Sequence, residues 1–302
     1  MGRAAKRDRL TEPVCRLLRF RAADEVDLAG LLYEPRRRTD RVAIFLHGTG
    51  GASVFNARRT NLLAEELTSR KIAWFAFNNR GAHLIMKSQL GGGMAYERIR
   101  DCVHDIDAAV RLLRRRGYRD ITLVGHSTGA NKIAVYDSLK KRNPIRRYVL
   151  LGGGDDTGLF YKQLGSRRFR TVLRRARQKR RSRELAPPSV SRLPMSWLAL
   201  YDMINPDGDY NVFPFLEALG RARLSRRPLF RHVRAIRKPA LVVYGERDEY
   251  CFGSVSRAVS LLATAVGPRP NFEFVIVEDA DHGFRGHEEE LGALVANWIN
   301  AR

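Results

Sequence analysis

The sequence predicts an α/β fold in which helices cover both faces of a mainly parallel sheet of roughly eight strands. Short apolar runs of strand length recur along the 302 residues, and stretches with helical periodicity separate them. Continuous apolar runs are typical of strands that are buried on both faces, and their alternation with helices indicates successive β-α-β units. A chain of this length can bury a sizeable core.

The predicted elements begin with a hairpin and continue with parallel strands. Residues 13–21 and 25–33 alternate like two antiparallel strands around a short polar turn. Six apolar runs follow, at 42–46, 72–77, 121–124, 148–151, 240–244 and 272–277. Helical patterns occupy residues 57–70, 97–116, 128–142, 254–265 and 286–300. The glycine-rich interval 81–96 is expected to be a mobile loop.

One long interval interrupts this rhythm between the sixth and seventh predicted strands. Residues 155–238 are far more than a crossover needs, so they predict a helical lid or cap, with residues 1–154 and 239–302 forming the core. An aromatic stretch follows the first part of this insertion. Its members are either the walls of an acyl pocket or the lid's own small core, and three of them are substrate-binding candidates: Trp197, Tyr201 and Phe213.

The positive charge of the chain is concentrated in the first part of this insertion. The net charge is +23, and residues 162–185 contain eleven Lys or Arg and one acid, Glu184. Such a segment can attract an anionic substrate or an acidic partner, whereas the simpler interpretation is a solvated helix face. Nucleic acid is not expected as a partner, because the segment's basic core, residues 169–181, has only Phe169 as a stacking aromatic.

The sequence also limits the compartment and the cofactors. No run of 18 or more apolar residues could span a bilayer, and no apolar stretch follows the basic N-terminus as in a signal peptide, so a cytoplasmic protein is expected. The odd number of cysteines matches neither a zinc site nor a disulfide framework: Cys15, Cys102 and Cys251. We expect no metal and no cofactor, and the oligomeric state stays open.

A Gly-His-Ser-Thr-Gly sequence at 125–129 carries the main chemical signal. It follows the strand 121–124 and precedes a helical pattern, which is the context of a nucleophile elbow. Glycines avoid collisions in so sharp a turn, and the positive end of the helix favours a developing oxyanion. Ser127 is therefore the predicted nucleophile, the alternative being an ordinary strand-to-helix turn, and His126 is expected only to pack.

A serine nucleophile needs a base, and the base needs a carboxylate. His282 follows the last predicted strand at the carboxyl edge of the sheet, where Ser127 also lies, and His287 is the fallback. Asp248 follows the seventh strand at the same edge and is the preferred acid. Its rivals come after the sixth strand: Asp155 and Asp156.

The tetrahedral intermediate of acyl transfer needs two backbone donors. Thr128 directly follows the nucleophile, and Thr49 lies in the glycine-rich loop 47–51 after the first parallel strand. Their N–H groups are the predicted oxyanion hole. His47 is expected to anchor that loop, and two further residues are candidates for contact with the substrate: Gly48 and His83.

These motifs resemble the α/β-hydrolase superfamily over nearly the whole chain. In family order they are His47-Gly48, Gly125-His126-Ser127-Thr128-Gly129, Gly245-Glu246-Arg247-Asp248 and Asp281-His282-Gly283. Phe77-Asn78-Asn79-Arg80-Gly81 and the elbow resemble the serine-aminopeptidase-like and DUF1749-like branch, some members of which are esterases acting on siderophores. The resemblance implies a Ser127, Asp248 and His282 triad and a lid that governs access. The lid's arginine density departs from the family, so the substrate class does not follow.

Three functions fit these residues. Hydrolysis of a small-molecule carboxylic ester, or less readily an amide, through an acyl-enzyme on Ser127 is the leading prediction. A thioesterase or acyltransferase would use the same triad, with the basic lid receiving an anionic carrier. A non-catalytic ligand-binding fold would require a missing triad member, and residues of the right types are present.

Overall fold

The computed structural model describes residues 14–54, 57–86 and 92–302, in which eight strands form one sheet. The strands are β1 (Arg16–Arg21), β2 (Asp27–Tyr33), β3 (Arg41–Leu46), β4 (Ala73–Asn78), β5 (Asp120–His126), β6 (Arg147–Leu151), β7 (Ala240–Gly245) and β8 (Phe272–Val277). Their order is β1-β2-β4-β3-β5-β6-β7-β8. β2 pairs antiparallel with both neighbours, and every other pair is parallel. The predicted fold class is confirmed.

The position of each strand explains its hydrophobic pattern. All residues of the inner strands β6 and β7 are buried, as expected for strands covered on both faces. The outermost strands β1 and β8 each have a single fully buried residue, because one edge of each has no neighbouring strand and their side chains are less covered.

Helices cover both faces of the sheet. In the described part of the chain they are α1 (Ala57–Ser69), α2 (Cys102–Arg115), α3 (Thr128–Leu139), α4 (Asp156–Gln178), α5 (Trp197–Ile204), α6 (Phe215–Ala218), α7 (Arg231–Ala235), α8 (Val255–Val266) and α9 (Glu288–Ala301). α1 and α9 share a core with one face, whereas α2, α3 and α8 share a core with the other. None of the described helices is long and apolar enough to cross a membrane.

Four of these helices, α4 to α7, lie between β6 and β7, where the sequence predicts an insertion. Gly165 interrupts α4 with a φ of 73°, a left-handed conformation that suits glycine. Apolar side chains of the insertion, such as Phe160 and Phe215, belong to the same core as the sheet. The insertion therefore packs on the body of the fold, and its division from the core at 155–238 stays a prediction.

The predicted mobile loop at 81–96 is described only in part. Residues 87–91 lie outside the described residues, as does the start of the first predicted strand. On either side of that gap, Met86 and Gly92 form an antiparallel bridge, and Met94 N–H donates to His83 O at 3.0 Å. The described part of this loop is thus tied together by backbone hydrogen bonds.

Candidate active site

The candidate site is built from loops at the carboxyl edge of the sheet. Parallel registry places the ends of neighbouring strands side by side, because Leu46 of β3 pairs with Gly125 of β5 and His126 pairs with Leu151 of β6. The loops that leave β3, β5, β6, β7 and β8 consequently converge. Residues far apart in sequence meet there.

Ser127 has the backbone geometry expected at the point of a sharp turn. Its φ of 57° and ψ of −127° are unusual for a residue with a side chain, and its N–H donates to Leu151 O at 2.8 Å. A Cβ on Gly125 would lie 2.3 Å from Gly129 O, and one on Gly129 would lie 2.1 Å from Leu46 O. The two glycines are thus required by close backbone contacts on either side of the serine.

His282 and Asp248 meet as a hydrogen-bonded pair. His282 Nδ1 donates to Asp248 Oδ2 at 2.8 Å, and Asp248 is 2% exposed. The other oxygen of Asp248 accepts from Tyr250 N–H at 2.9 Å. Ser127 and His282 line the same cavity, and no hydrogen bond among the described residues joins their side chains. Such contacts are often loose in the absence of substrate.

The rival carboxylates are placed differently. Asp155 accepts from Gly158 N–H at 2.7 Å and from Leu216 N–H at 2.8 Å, so both of its oxygens hold backbone groups of the insertion. Burial raises the pKa of Asp155 to about 7. Asp156 lines the cavity, where burial raises its pKa to about 6 against the opposing effect of His282. Neither carboxylate has a hydrogen bond to His282 among the described residues.

The loop after β3 approaches the serine closely. A Cβ on Gly48 would lie 2.8 Å from Ser127 Cβ, so only glycine fits there. Beyond it, Thr49 Oγ1 lies 2.5 Å from Thr128 Oγ1. Within the described residues, no hydrogen bond uses the backbone N–H of either threonine. The side chains of the two residues are therefore in contact, and their role as an oxyanion hole stays a prediction.

His47 anchors this loop as a neutral imidazole. Its Nε2 accepts from Asn79 N–H at 3.2 Å, which leaves Nδ1 to donate to Gly48 O at 2.9 Å. Burial, with the nearby Lys132 charge, lowers the pKa of His47 to about 3. The ring therefore holds the loop through two uncharged hydrogen bonds.

A buried ion pair holds the side chain of Asn79, and no sequence motif predicts this pair. Lys132 of α3 is 1% exposed, lies 2.6 Å from Glu97 Oε1 and donates to Asn79 Oδ1 at 2.9 Å. Burial raises the pKa of Glu97, while Lys132 opposes that shift. A Cβ on Gly81 would lie 1.9 Å from Glu97 Oε2, which explains that glycine. The only available signal was a lone lysine on an otherwise buried helix stretch.

Two aromatic rings flank His282. His126 Nε2 donates to the His282 carbonyl at 2.7 Å, and the two imidazole centroids are 4.9 Å apart. The ring of Tyr250 meets His282 edge to face at 4.4 Å. The sequence predicts packing for His126, and the hydrogen bond to the loop of His282 is an addition that no sequence pattern indicated. The fallback base His287 bonds Glu290 instead, at 3.1 Å.

A cavity of about 510 Å³ opens above Ser127. Insertion side chains form one wall, including Leu159, Phe160, Leu193 and Met203. Two predicted site residues also line it: Gly48, a candidate for substrate contact, and Thr49, a candidate for the oxyanion hole.

Four predicted substrate-binding residues lie elsewhere. Phe213 is fully buried and packs on Gly153, where a Cβ would lie 2.3 Å from its ring. Trp197 is buried beneath Arg175, whose guanidinium lies 5.0 Å from the ring centroid. Tyr201 packs against the same core. His83, whose backbone N–H donates to Gly51 O at 3.0 Å, is not among the residues that line the cavity. Aromatic character alone did not distinguish core from cavity.

The described residues contain no group of three or more His, Cys, Asp or Glu side chains arranged for a metal ion. Burial raises the thiol pKa of Cys102 and Cys251, which makes both poor nucleophiles.

Sequence comparison assigns the family. Residues 43–297 match the family described as the alpha/beta hydrolase family. The chain belongs to the α/β-hydrolase family. No curated protein sequence matches it significantly.

Solved structures share the α/β-hydrolase fold at low identity. Est1E from Butyrivibrio proteoclasticus, with ferulic acid bound, is 15% identical with a TM-score of 0.60, covering 93% of this chain and 98% of that one. Pyrococcus furiosus esterase Pf2001 is 18% identical with a TM-score of 0.58, covering 95% and 91%. An esterase domain from Rhodothermus marinus is 16% identical with a TM-score of 0.56, covering 94% and 97%. At such identities the likeness concerns the fold, and the branch within the superfamily stays a prediction.

Proposed function

We propose that this protein is a serine hydrolase that cleaves a small-molecule carboxylic ester through an acyl-enzyme on Ser127. The observation that carries the proposal is the 2.8 Å hydrogen bond from His282 Nδ1 to buried Asp248, with His282 and Ser127 on one cavity. Because Nδ1 carries the proton in this bond, Nε2 keeps a lone pair for the serine proton.

In the acylation step, Ser127 Oγ attacks the ester carbonyl while His282 Nε2 accepts its proton. The backbone N–H groups of Thr49 and Thr128 stabilise the resulting oxyanion. Asp248 stabilises the imidazolium, which then gives its proton to the departing alkoxide. Water, activated by the same imidazole, attacks the acyl-enzyme and releases the acid.

The cavity supports an acyl group that is mainly apolar. The insertion wall of Leu159, Phe160, Leu193 and Met203 faces the same space as Ser127. Because the insertion supplies this wall, we assign it the role of a lid that controls access. The names of the similar structures, which are esterases, favour an ester over an amide.

A fluorophosphonate probe tests the nucleophile. We expect the wild type to be labelled and Ser127→Ala to be unlabelled, with loss of turnover on 4-nitrophenyl esters. The matched control is Ser191→Ala, because Ser191 lines the same cavity and its hydroxyl donates to Leu193 O at 2.9 Å. Labelling and turnover that survive in Ser127→Ala would refute the proposal.

The reaction class is tested by varying the substrate. Esters, thioesters and anilides of one acyl group, each offered with chains of increasing length, should rank with esters first and with an optimum that fits the cavity. Faster cleavage of the thioesters at every chain length would replace the esterase assignment by a thioesterase.

A further inference from the structure

The two residues of the proposed oxyanion hole are joined to each other by their side chains. Thr49 and Thr128 are 79 positions apart, and their hydroxyl oxygens are 2.5 Å apart. Each residue thus uses its hydroxyl for this contact, and its backbone N–H is the group proposed to bind the oxyanion. We call Thr49 and Thr128 the threonine pair.

A tyrosine of the insertion extends this contact. Tyr210 OH lies 3.4 Å from Thr49 Oγ1, and the tyrosine is 5% exposed. Burial raises the pKa of Tyr210 well above its ordinary value, so the phenol stays protonated and can donate.

Asp156 is a further polar group of this region: it lines the cavity, and its Oδ2 has no hydrogen-bond partner among the described residues. Burial raises the pKa of Asp156 to about 6, and His282 opposes this shift. Tyr210 can donate to Thr49, and one of the two threonine hydroxyls donates to the other.

The loop that carries Thr49 needs such a restraint. It contains Gly48, Gly50 and Gly51, and backbone hydrogen bonds hold Gly48 and Gly51, whereas the hydrogen bonds of Thr49 are made by its hydroxyl. Thr128, in contrast, is 1% exposed and begins α3. Oxyanion donors must lie within about 2.7–3.1 Å of the developing charge, and a displacement of about 1 Å can cost about 100-fold in rate.

We propose that the threonine pair is a positioning device that fixes the separation of the two oxyanion-hole N–H groups by tying the glycine-rich loop to helix α3. This inference rests on the proposed function. Its components are side-chain hydroxyls, so the contribution can be removed while both backbone donors remain.

Valine substitutions test the proposal, because valine has the shape of threonine without its hydroxyl. We expect Thr49→Val and Thr128→Val each to lower kcat by about 10- to 100-fold with KM changed by less than about threefold. Thr49→Ser, which keeps the hydroxyl, should lose far less. The double valine variant should be no worse than the poorer single variant, since both remove the same bond.

The affinity for a trifluoromethyl ketone, which forms a tetrahedral oxyanion on the serine, supplies an independent measurement. It should fall in parallel with kcat/KM across the variants. The matched control is Thr122→Val, which removes another buried threonine hydroxyl, one that accepts from Arg147 Nη1 at 3.3 Å. That control should change thermal stability while leaving kcat within about twofold.

The outcomes separate this inference from the proposed function. If Thr49→Val keeps the wild-type kcat and ketone affinity while Ser127→Ala is inactive, the pairing has no positioning role and the hydrolase assignment stands. Multiplying losses in the double variant would also overturn it. Labelling that persists in Ser127→Ala would instead remove the proposed function. Should Thr128→Val fail to fold, the comparison of Thr49→Val with Thr49→Ser decides.

Discussion

Asp248 has two carboxylate oxygens and the structure uses both. Oδ2 accepts from His282 Nδ1 and Oδ1 accepts from Tyr250 N–H. An asparagine at 248 has only one acceptor oxygen. If that oxygen keeps the backbone bond, the amide NH₂ faces Nδ1 and favours the imidazole tautomer that carries its proton on Nε2.

We expect Asp248→Asn to reduce kcat by about 10⁴-fold, because an Nε2 that carries a proton cannot accept the one from Ser127. Steady-state kinetics on a 4-nitrophenyl ester measures this loss. The control is Asp155→Asn, since Asp155 bonds Gly158 and Leu216 and has no bond to His282. If Asp155→Asn abolished turnover and Asp248→Asn did not, the acid would be misassigned.

The sequence alone predicts the positions in the fold of some candidate-site residues but not of others. Ser127, Asp248 and His282 each follow an apolar run of strand length, so parallel topology alone predicts that they meet. Their catalytic roles stay a prediction. The contact of Thr49 with Thr128 joins residues that are 79 positions apart and depends on the orientation of both hydroxyls. No local sequence pattern predicts such an orientation.

Helix α4 presents arginines at helical spacing on its exposed side. Arg167, Arg170, Arg174 and Arg177 are all exposed, and successive members are three or four residues apart. Like charges at these spacings destabilise a helix by about 0.2–0.5 kcal/mol per pair. The buried side of α4 holds Phe169, Val172 and Ala176, so packing offsets this repulsion.

Replacing Arg170 separates the two effects. Arg170→Gln removes repulsion from Arg167 and Arg174, and Arg170→Glu adds attraction to both. We therefore expect the free energy of unfolding to be largest with Glu at position 170, smaller with Gln and smallest with Arg. The full gain should be about 0.5–1 kcal/mol in urea titrations at low salt and smaller in 0.5 M NaCl. Equal stability of all three proteins, or a gain that is unchanged by salt, would contradict this account.

Element boundaries were predictable where hydrophobic burial is continuous. The predicted 42–46 and 240–244 correspond to β3 and β7 within one residue, because both are inner strands. The helix predicted at 97–116 begins instead at Cys102, after two short 3-10 turns. Apolar spacing does not distinguish a 3-10 turn from the first turn of an α-helix.

At the scale of the whole molecule, a half-buried carboxyl group, Asp202, joins the insertion to the body. Asp202 of α5 accepts from Ile99 N–H at 2.7 Å, in the segment before α2. Burial raises the pKa of Asp202 to about 7; Asp101 and Asp209 add to the shift, and Arg98 opposes it. Because the folded protein holds the Asp202 proton to a higher pH than the unfolded chain does, folding is accompanied by proton uptake. This group therefore makes the folded protein less stable as pH rises.

We expect Asp202→Asn to stabilise the protein, since its amide oxygen can keep the bond to Ile99 without a partly desolvated charge. The sign follows from the raised pKa. Below about pH 4 the Asp202 carboxyl is protonated in both the folded and the unfolded state, so the variant and the wild type should have similar free energies of unfolding. Above that pH the difference should grow until about pH 7 and then stay level, at a few kcal/mol. Unfolding titrations at pH 4, 5.5 and 7.5 measure it. A pH-independent difference would contradict the assignment.

The convergence of five loops on Ser127 has a consequence for the kinetics of refolding. The motif proposed to carry the nucleophile spans five residues, but its partners range from Gly48 to His282, and β3 lies between two strands that follow it in sequence. Contacts of such long sequence separation form late and slowly. On the proposed function, covalent capture of Ser127 during refolding would therefore report completion of the entire sheet, and a fragment that ended before His282 would contain the serine without the proposed reactivity.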